Sequence, residues 1–205
     1  MKVVYACLAL FLLVEGSNAQ PDSLWSRTYN GNGMDYCYTV HQTSDGGYAL
    51  AGAGTIGPSY KFWLIKTDDE GNSVWNRSYG GYYYEICWAM QETVDGGYVL
   101  AGTTNSFGIG TPNNPNFWVV KTDSIGDTLW TRAFGGSSID RCYSVQQTLD
   151  GGYVMAGVTS SFAPFGFWLV KTDANGDSLW SRIYGGGECW SVQQTSDDGD
   201  VWAGY

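Results

Sequence analysis

One histidine, His41, stands in 205 residues. A His-supported nucleophile would have no second imidazole to draw on. Basic residues are scarce: 10 Lys and Arg face 20 Asp and Glu, a net charge of −10. Clustered cations of the kind that hold phosphate backbones or anionic lipid surfaces are therefore missing, and nucleic acid is excluded as an expected partner. The five cysteines include no closely spaced pair, which removes the usual zinc-ligand pattern. Helical periodicity is absent beyond the first twenty residues. Long apolar runs are absent too, except for Val3 to Val14, twelve residues where a membrane-spanning helix needs roughly twenty.

That run follows Lys2 and ends near Ser17-Asn18-Ala19, the arrangement of a secretory signal peptide cleaved after Ala19. Residues 1–19 are therefore expected to leave, and the mature chain to be secreted or at the cell surface without membrane insertion. Cys7 lies ahead of most of the apolar segment, so a lipid anchor on it is not expected. The acidity of the rest suits solubility outside the cell.

What the chain has in abundance is glycine and large aromatics: 29 Gly, 10 Trp and 15 Tyr, a composition of turns and strands. It also repeats itself. Trp25, Trp75, Trp130 and Trp180 recur in DSLWSRTYN, NSVWNRSYGG, DTLWTRAFGG and DSLWSRIYGG, at spacings of 50, 55 and 50 residues. Between them come CYTVHQTSDGGYALAG, CWAMQETVDGGYVLAG and CYSVQQTLDGGYVMAG, then FWLIKTDDEGN, FWVVKTDSIGD and FWLVKTDANGD. Each unit reads as four short strands joined by an Asp-Gly-Gly hairpin, a variable loop and a TDxxGD turn. The third strand is apolar on both sides (Phe167 and Leu169 against Trp168 and Val170), so the sheet needs cover on both faces. Neighbouring copies supply it, and one unit alone is not expected to fold.

The fold class this predicts is all-β: a β-propeller of four-stranded antiparallel blades of about 50 residues. Its units run approximately over 34–83, 84–138 and 139–187 within a 20–205 repeat domain, with a partial unit at 188–205 and a lone fourth strand at 23–29. A β-solenoid would repeat every 20 to 30 residues or so, and a sandwich would not repeat at all. FWLVKTDANGDSLWSRIYGG with SVQQTLDGGYVMAG resembles a tandem repeat of exported bacterial proteins, often joined to a C-terminal sorting or anchoring domain. KTDxxGDxLW is also distantly similar to quinoprotein-type propeller repeats. The resemblance implies a propeller and further repeats or an anchoring domain in a longer chain. With the strand count, it leads to the expectation of a partial propeller or fragment, the alternative being a closed four-bladed ring.

Candidate sites follow from the repeat. Cys37, Cys87, Cys142 and Cys189 share one position and are expected as small thiols filling space. Asp35, Glu85, Asp140 and Glu188 lie just before them. Four carboxylates at one channel mouth would suit a cation such as Ca2+, or would instead accept loop amides. Asp68, Asp123 and Asp173 sit in turns that lack the EF-hand spacing and read as turn formers. The repeated Arg and Lys are expected to pair with carboxylates or stack on aromatics. Function in such scaffolds lies where copies disagree, which is in the loops Thr55 to Lys61, Thr104 to Asn116 and Ser160 to Gly166 and in the Tyr82–Tyr84 linker. The expected ligand surface is Tyr60, Tyr82, Tyr83, Tyr84, Phe107, Asn113 and Asn114, meeting an extracellular glycan or protein. The expected function is thus a non-catalytic binding or display scaffold, and the alternative is a hydrolase or lyase whose active site is completed by blades elsewhere.

Overall fold

The computed structural model describes residues 24–204 except 32, 164 and 196–198. The expected leader, residues 1–19, lies outside them. The described chain forms three four-stranded antiparallel meanders and a final hairpin. The first blade is β1 (Tyr36–Gln42), β2 (Tyr48–Ile56), β3 (Ser59–Thr67) and β4 (Ser73–Tyr79). The second is β5 (Glu85–Glu92), β6 (Tyr98–Thr104), β7 (Asn116–Thr122) and β8 (Thr128–Phe134). The third is β9 (Asp140–Gln147), β10 (Tyr153–Thr159), β11 (Gly166–Thr172) and β12 (Ser178–Gly185), followed by β13 (Cys189–Gln194) and β14 (Asp200–Gly204). Each sheet pairs strands in chain order, the topology of a propeller blade.

The middle strands of the second and third blades are buried almost end to end, as strands covered on both faces must be. Cover comes from the neighbouring blade. One core joins Phe62, Leu64 and Tyr79 of the first blade to Cys87, Tyr98 and Trp118 of the second. The next joins Phe117 and Val119 to Cys142, Tyr153 and Trp168, and a third joins Val154 and Leu169 to Cys189 and Val192. Tyr98 and Tyr153 are fully buried. Aromatics bury roughly 150 to 250 Å² each, so these joins hold most of the apolar area that stabilises the fold.

Fourth strands latch each blade to the next one's TDxxGD turn. The Tyr79 hydroxyl donates to the Gly126 carbonyl at 2.7 Å, and Arg77 and Arg132 reach Asp127 and Asp177 at 3.4 and 2.9 Å. Trp75 lies over Gly126, whose φ of 83° needs glycine and whose added Cβ would meet the indole at 2.9 Å. Of the lone fourth strand expected at 23–29, residues 24–29 are described and are not a strand: among the described residues no third strand lies beside them to form a ladder. Their side chains nonetheless make the fourth-strand contacts, with Trp25 at 5.6 Å from Tyr48 and the Tyr29 hydroxyl on the Gly71 carbonyl at 2.6 Å. A second correction concerns the loop expected from Thr55 to Lys61. Strands β2 and β3 pair out to Ile56 and Ser59, so only Gly57 and Pro58 turn the chain.

Each first strand carries a β-bulge at the residue after its cysteine: Tyr38, Trp88, Tyr143 and Trp190. The cysteine Sγ donates across it to the carbonyl two residues on, at 3.3–3.4 Å in all four copies. Glycines Gly52, Gly102 and Gly157 of the second strands sit opposite. A Cβ at Gly102 would lie 2.0 Å from the Ile86 carbonyl oxygen. The bulge thus re-aims one aromatic per blade out of the sheet's alternation.

Candidate functional site

The two faces of the repeat differ in purpose. On one, Asp45, Asp95 and Asp150 each accept from a threonine hydroxyl, a glycine amide and a buried lysine, for example Thr148, Gly152 and Lys171. Hydrogen bonds from Lys66 and then Thr43 hold Asp45 at about 2, and those from Lys171 and then Thr148 do the same for Asp150. Burial pushes Asp95 up, but Thr93, Lys121 and Gly97 outweigh it and leave it at about 2 as well. Asp68, Asp123 and Asp173 accept the amides of their own turns. These carboxylates are committed to turns, as the spacing suggests.

The opposite face carries the variable loops. Four hydrogen bonds fix the backbone of the Tyr82–Tyr84 linker: Ser59 donates to the Tyr82 carbonyl at 3.2 Å, the Tyr83 amide donates to Ser106 at 2.8 Å, the Lys61 ammonium donates to the Tyr83 carbonyl at 2.8 Å, and the Asn105 amide donates to the Tyr84 carbonyl at 2.9 Å. Beside it lies a cleft of about 220 Å³ lined by Met34, Thr55, Pro58, Ser59, Tyr60 and Tyr84. Tyr60 stands 5.8 Å from both Tyr84 and Tyr36.

Of the seven loop-face residues expected at the ligand surface, the structure brings Tyr60 and Tyr84 together. Tyr82 and Tyr83 pack on each other at 5.2 Å as a separate exposed pair. Phe107 leans on Trp118 at 5.1 Å, much as Phe162 does on Trp168, and so covers a blade end. Asn114 ties its loop to the Ser137 carbonyl at 2.8 Å, while Asn113 is exposed.

Sequence reasoning missed the continuation of this cleft. Tyr36 stacks on Tyr38 at 5.9 Å, Tyr38 meets Trp88 at 4.4 Å, Trp88 meets Tyr143 at 6.1 Å and Tyr143 stacks on Trp190 at 4.2 Å. Seven rings from Tyr84 to Trp190 thus form one chain, the last four borne by the bulges of successive first strands. Burial raises the Tyr38 and Tyr143 hydroxyls, with Tyr36 and Glu188 respectively adding to it, so these rings are uncharged at neutral pH. The signal available was the aromatic after each cysteine, whose bulge no strand alternation reveals.

The carboxylates expected at a channel mouth do not converge. Asp35 accepts from the Gly31 and Thr55 amides, Glu85 is paired with Lys61 at 3.1 Å, and Asp140 accepts from Gly136, Thr159 and Ser161. Glu188 lies beside Tyr143. Among the described residues no group of three or more His, Cys, Asp and Glu is placed to hold a metal. The four described cysteines are thiols, with Cys87, Cys142 and Cys189 buried. His41 occupies the place of Gln91 and Gln146, whose side-chain oxygens take the amides of Gln147 and Gln194 in the next blade.

No protein-family profile matches the chain, and no curated protein matches it. Among solved structures it is similar to the WD40 β-propeller domain of Doa1, at 15% identity and a TM-score of 0.54, over 82% of this chain and 47% of that one. The chain thus spans about half the length of that neighbour, and the likeness is one of fold: this is a β-propeller architecture.

Proposed function

We propose that this chain is an exported, non-catalytic propeller scaffold that binds glycan at the tyrosine cleft of its loop face. The observation that carries this reading is the cleft itself, where Tyr60 of β3 faces Tyr84 of a linker fixed from both sides, with Tyr36 of β1 beside Tyr60. Tyrosine rings on a fixed backbone offer flat apolar faces for sugar C–H groups and hydroxyls for their edges, at little cost in side-chain entropy. Net charge of −10 favours neutral over anionic sugars. A propeller fold fits a binding role, and the leader of residues 1–19 would deliver the domain outside the cell.

Glycan-array screening followed by calorimetry tests it. A neutral oligosaccharide is expected to bind, with Tyr60→Ala and Tyr84→Ala each weakening it about tenfold or more. Binding indifferent to both substitutions, or no binding to any glycan, removes the proposal.

A further inference from the structure

The first two blade joins differ where Lys61 of one corresponds to Asn116 of the other, and the difference leaves a buried oxygen without a partner. At the first join Lys61 runs along Gly80 and places its ammonium on the Gly81 carbonyl, the Tyr83 carbonyl at 2.8 Å and the Glu85 carboxylate at 3.1 Å. Glu85 is fully buried, so this ammonium neutralises a charge that water does not reach. At the second join the repeat places Asn116 for Lys61, Gly135 for Gly80, Gly136 for Gly81, Ser138 for Tyr83 and Asp140 for Glu85. Asn116 and Asp140 are both fully buried.

Geometry aligns the two joins atom by atom. A Cβ on Gly80 would sit 2.3 Å from Glu85 Oε2 and 2.5 Å from Lys61 Cδ. A Cβ on Gly135 would sit 2.4 Å from Asp140 Oδ2 and 2.3 Å from Asn116 Oδ1. The asparagine oxygen therefore stands where the lysine Cδ stands, and its side chain ends two atoms short of the ammonium position. Asn116 Nδ2 donates to the carbonyls of Ile109 at 2.8 Å and Asn114 at 3.3 Å, which fixes Oδ1 toward Asp140; that oxygen has no hydrogen-bond partner. Asp140 itself accepts from the Thr159 hydroxyl at 2.5 Å, the Ser161 hydroxyl at 2.7 Å and the Gly136 amide at 3.0 Å, and none of these donors is a cation.

We propose that a monovalent alkali cation, Na+ or K+, binds at the second join between Asn116 Oδ1 and Asp140 Oδ2, doing there what the Lys61 ammonium does at the first. Oxygen donors of this kind suit hard cations, and a single carboxylate matches a single positive charge. The cation supplies the partner that a buried amide oxygen requires and binds only the folded chain, so it stabilises the join by mass action.

Thermal unfolding of the whole chain in Na+, K+ and choline chlorides at constant ionic strength tests the proposal, together with anomalous diffraction from crystals grown in Rb+. A midpoint roughly 2 to 4 °C higher in Na+ or K+ than in choline is expected, with an Rb+ peak within coordination distance of both oxygens. Asn116→Lys carries its own ammonium to the site and is expected to abolish the salt-specific shift. Equal midpoints in all three salts, no Rb+ peak, or a response to Ca2+ alone would overturn the assignment, leaving a water in the site or a different ion.

Discussion

Removing the Lys61 ammonium should unfold the first join more readily than removing its carboxylate. In Lys61→Met the stem keeps its packing, but Glu85 retains a fully buried carboxylate whose remaining neighbour is the Thr104 hydroxyl at 3.3 Å, and the Gly81 and Tyr83 carbonyls lose their donor. Breaking a buried pair from one side costs about 3–5 kcal/mol, because the surviving charge is uncompensated. For a domain of this size each kcal/mol lowers the midpoint by roughly 2–4 °C, which makes a fall of roughly 6–20 °C. Glu85→Gln leaves a neutral amide that still accepts from Lys61, and its cost should be nearer 1–3 kcal/mol, on the order of one charged hydrogen bond. The double variant Lys61→Met/Glu85→Gln should recover at least about 1 kcal/mol relative to the sum of the singles. Urea unfolding followed by tryptophan fluorescence measures all four members of the cycle. The reasoning fails if Lys61→Met costs under about 1 kcal/mol or if the two substitutions are additive.

Acid should weaken the opposite face. Asp45, Asp95 and Asp150 titrate at about 2 in the folded chain against an ordinary 3.8, so the stability they add is complete above pH 3.8 and lost as pH falls toward 2. Unfolding midpoints of the wild type should drop over that interval more steeply than those of a Lys66→Met/Lys121→Met/Lys171→Met variant. Thiol labelling should separate the cysteines: burial raises the Cys87 thiol far above its usual range and Cys142 to about 12, while half-buried Cys37 is raised less. Cys37 should react first, with Cys87 and Cys142 slower by roughly a hundredfold and all equal in denaturant, as mass spectrometry would show. Gly102→Ala should cost about 3 kcal/mol or more, since its Cβ would press on a strand carbonyl, whereas Gly185→Ala meets nothing within 4 Å and should change stability by under about 0.5 kcal/mol.

The blade was legible because its signals are local. Asp-Gly-Gly and TDxxGD close hairpins through their own side chains, and paired apolar faces such as Phe117 and Trp118 announce cover on both sides. What stayed hidden depended on partners. Residues 24–29 carry a strand's sequence, yet a strand exists only beside another. Tyr38 and Trp88 read as ordinary members of an alternating strand until the bulge displaces them. Asn116 reads as one more loop asparagine, and only its alignment with Lys61 in space reveals an acceptor left over. The tyrosine cleft was half visible: variability pointed to Tyr60 and Tyr84, while Phe107 was aromatic for the sake of Trp118.

The Arg77–Asp127 and Arg132–Asp177 latches bear on how such a gene can grow or shrink. Because each blade offers its follower the same plug and its predecessor the same socket, copying or excising one whole unit rejoins ends whose latch still matches. A cut made anywhere else in the unit would strand a plug without its socket. The number of blades can therefore change in steps of one repeat with the arginine–aspartate latch kept, whatever else differs between the seams.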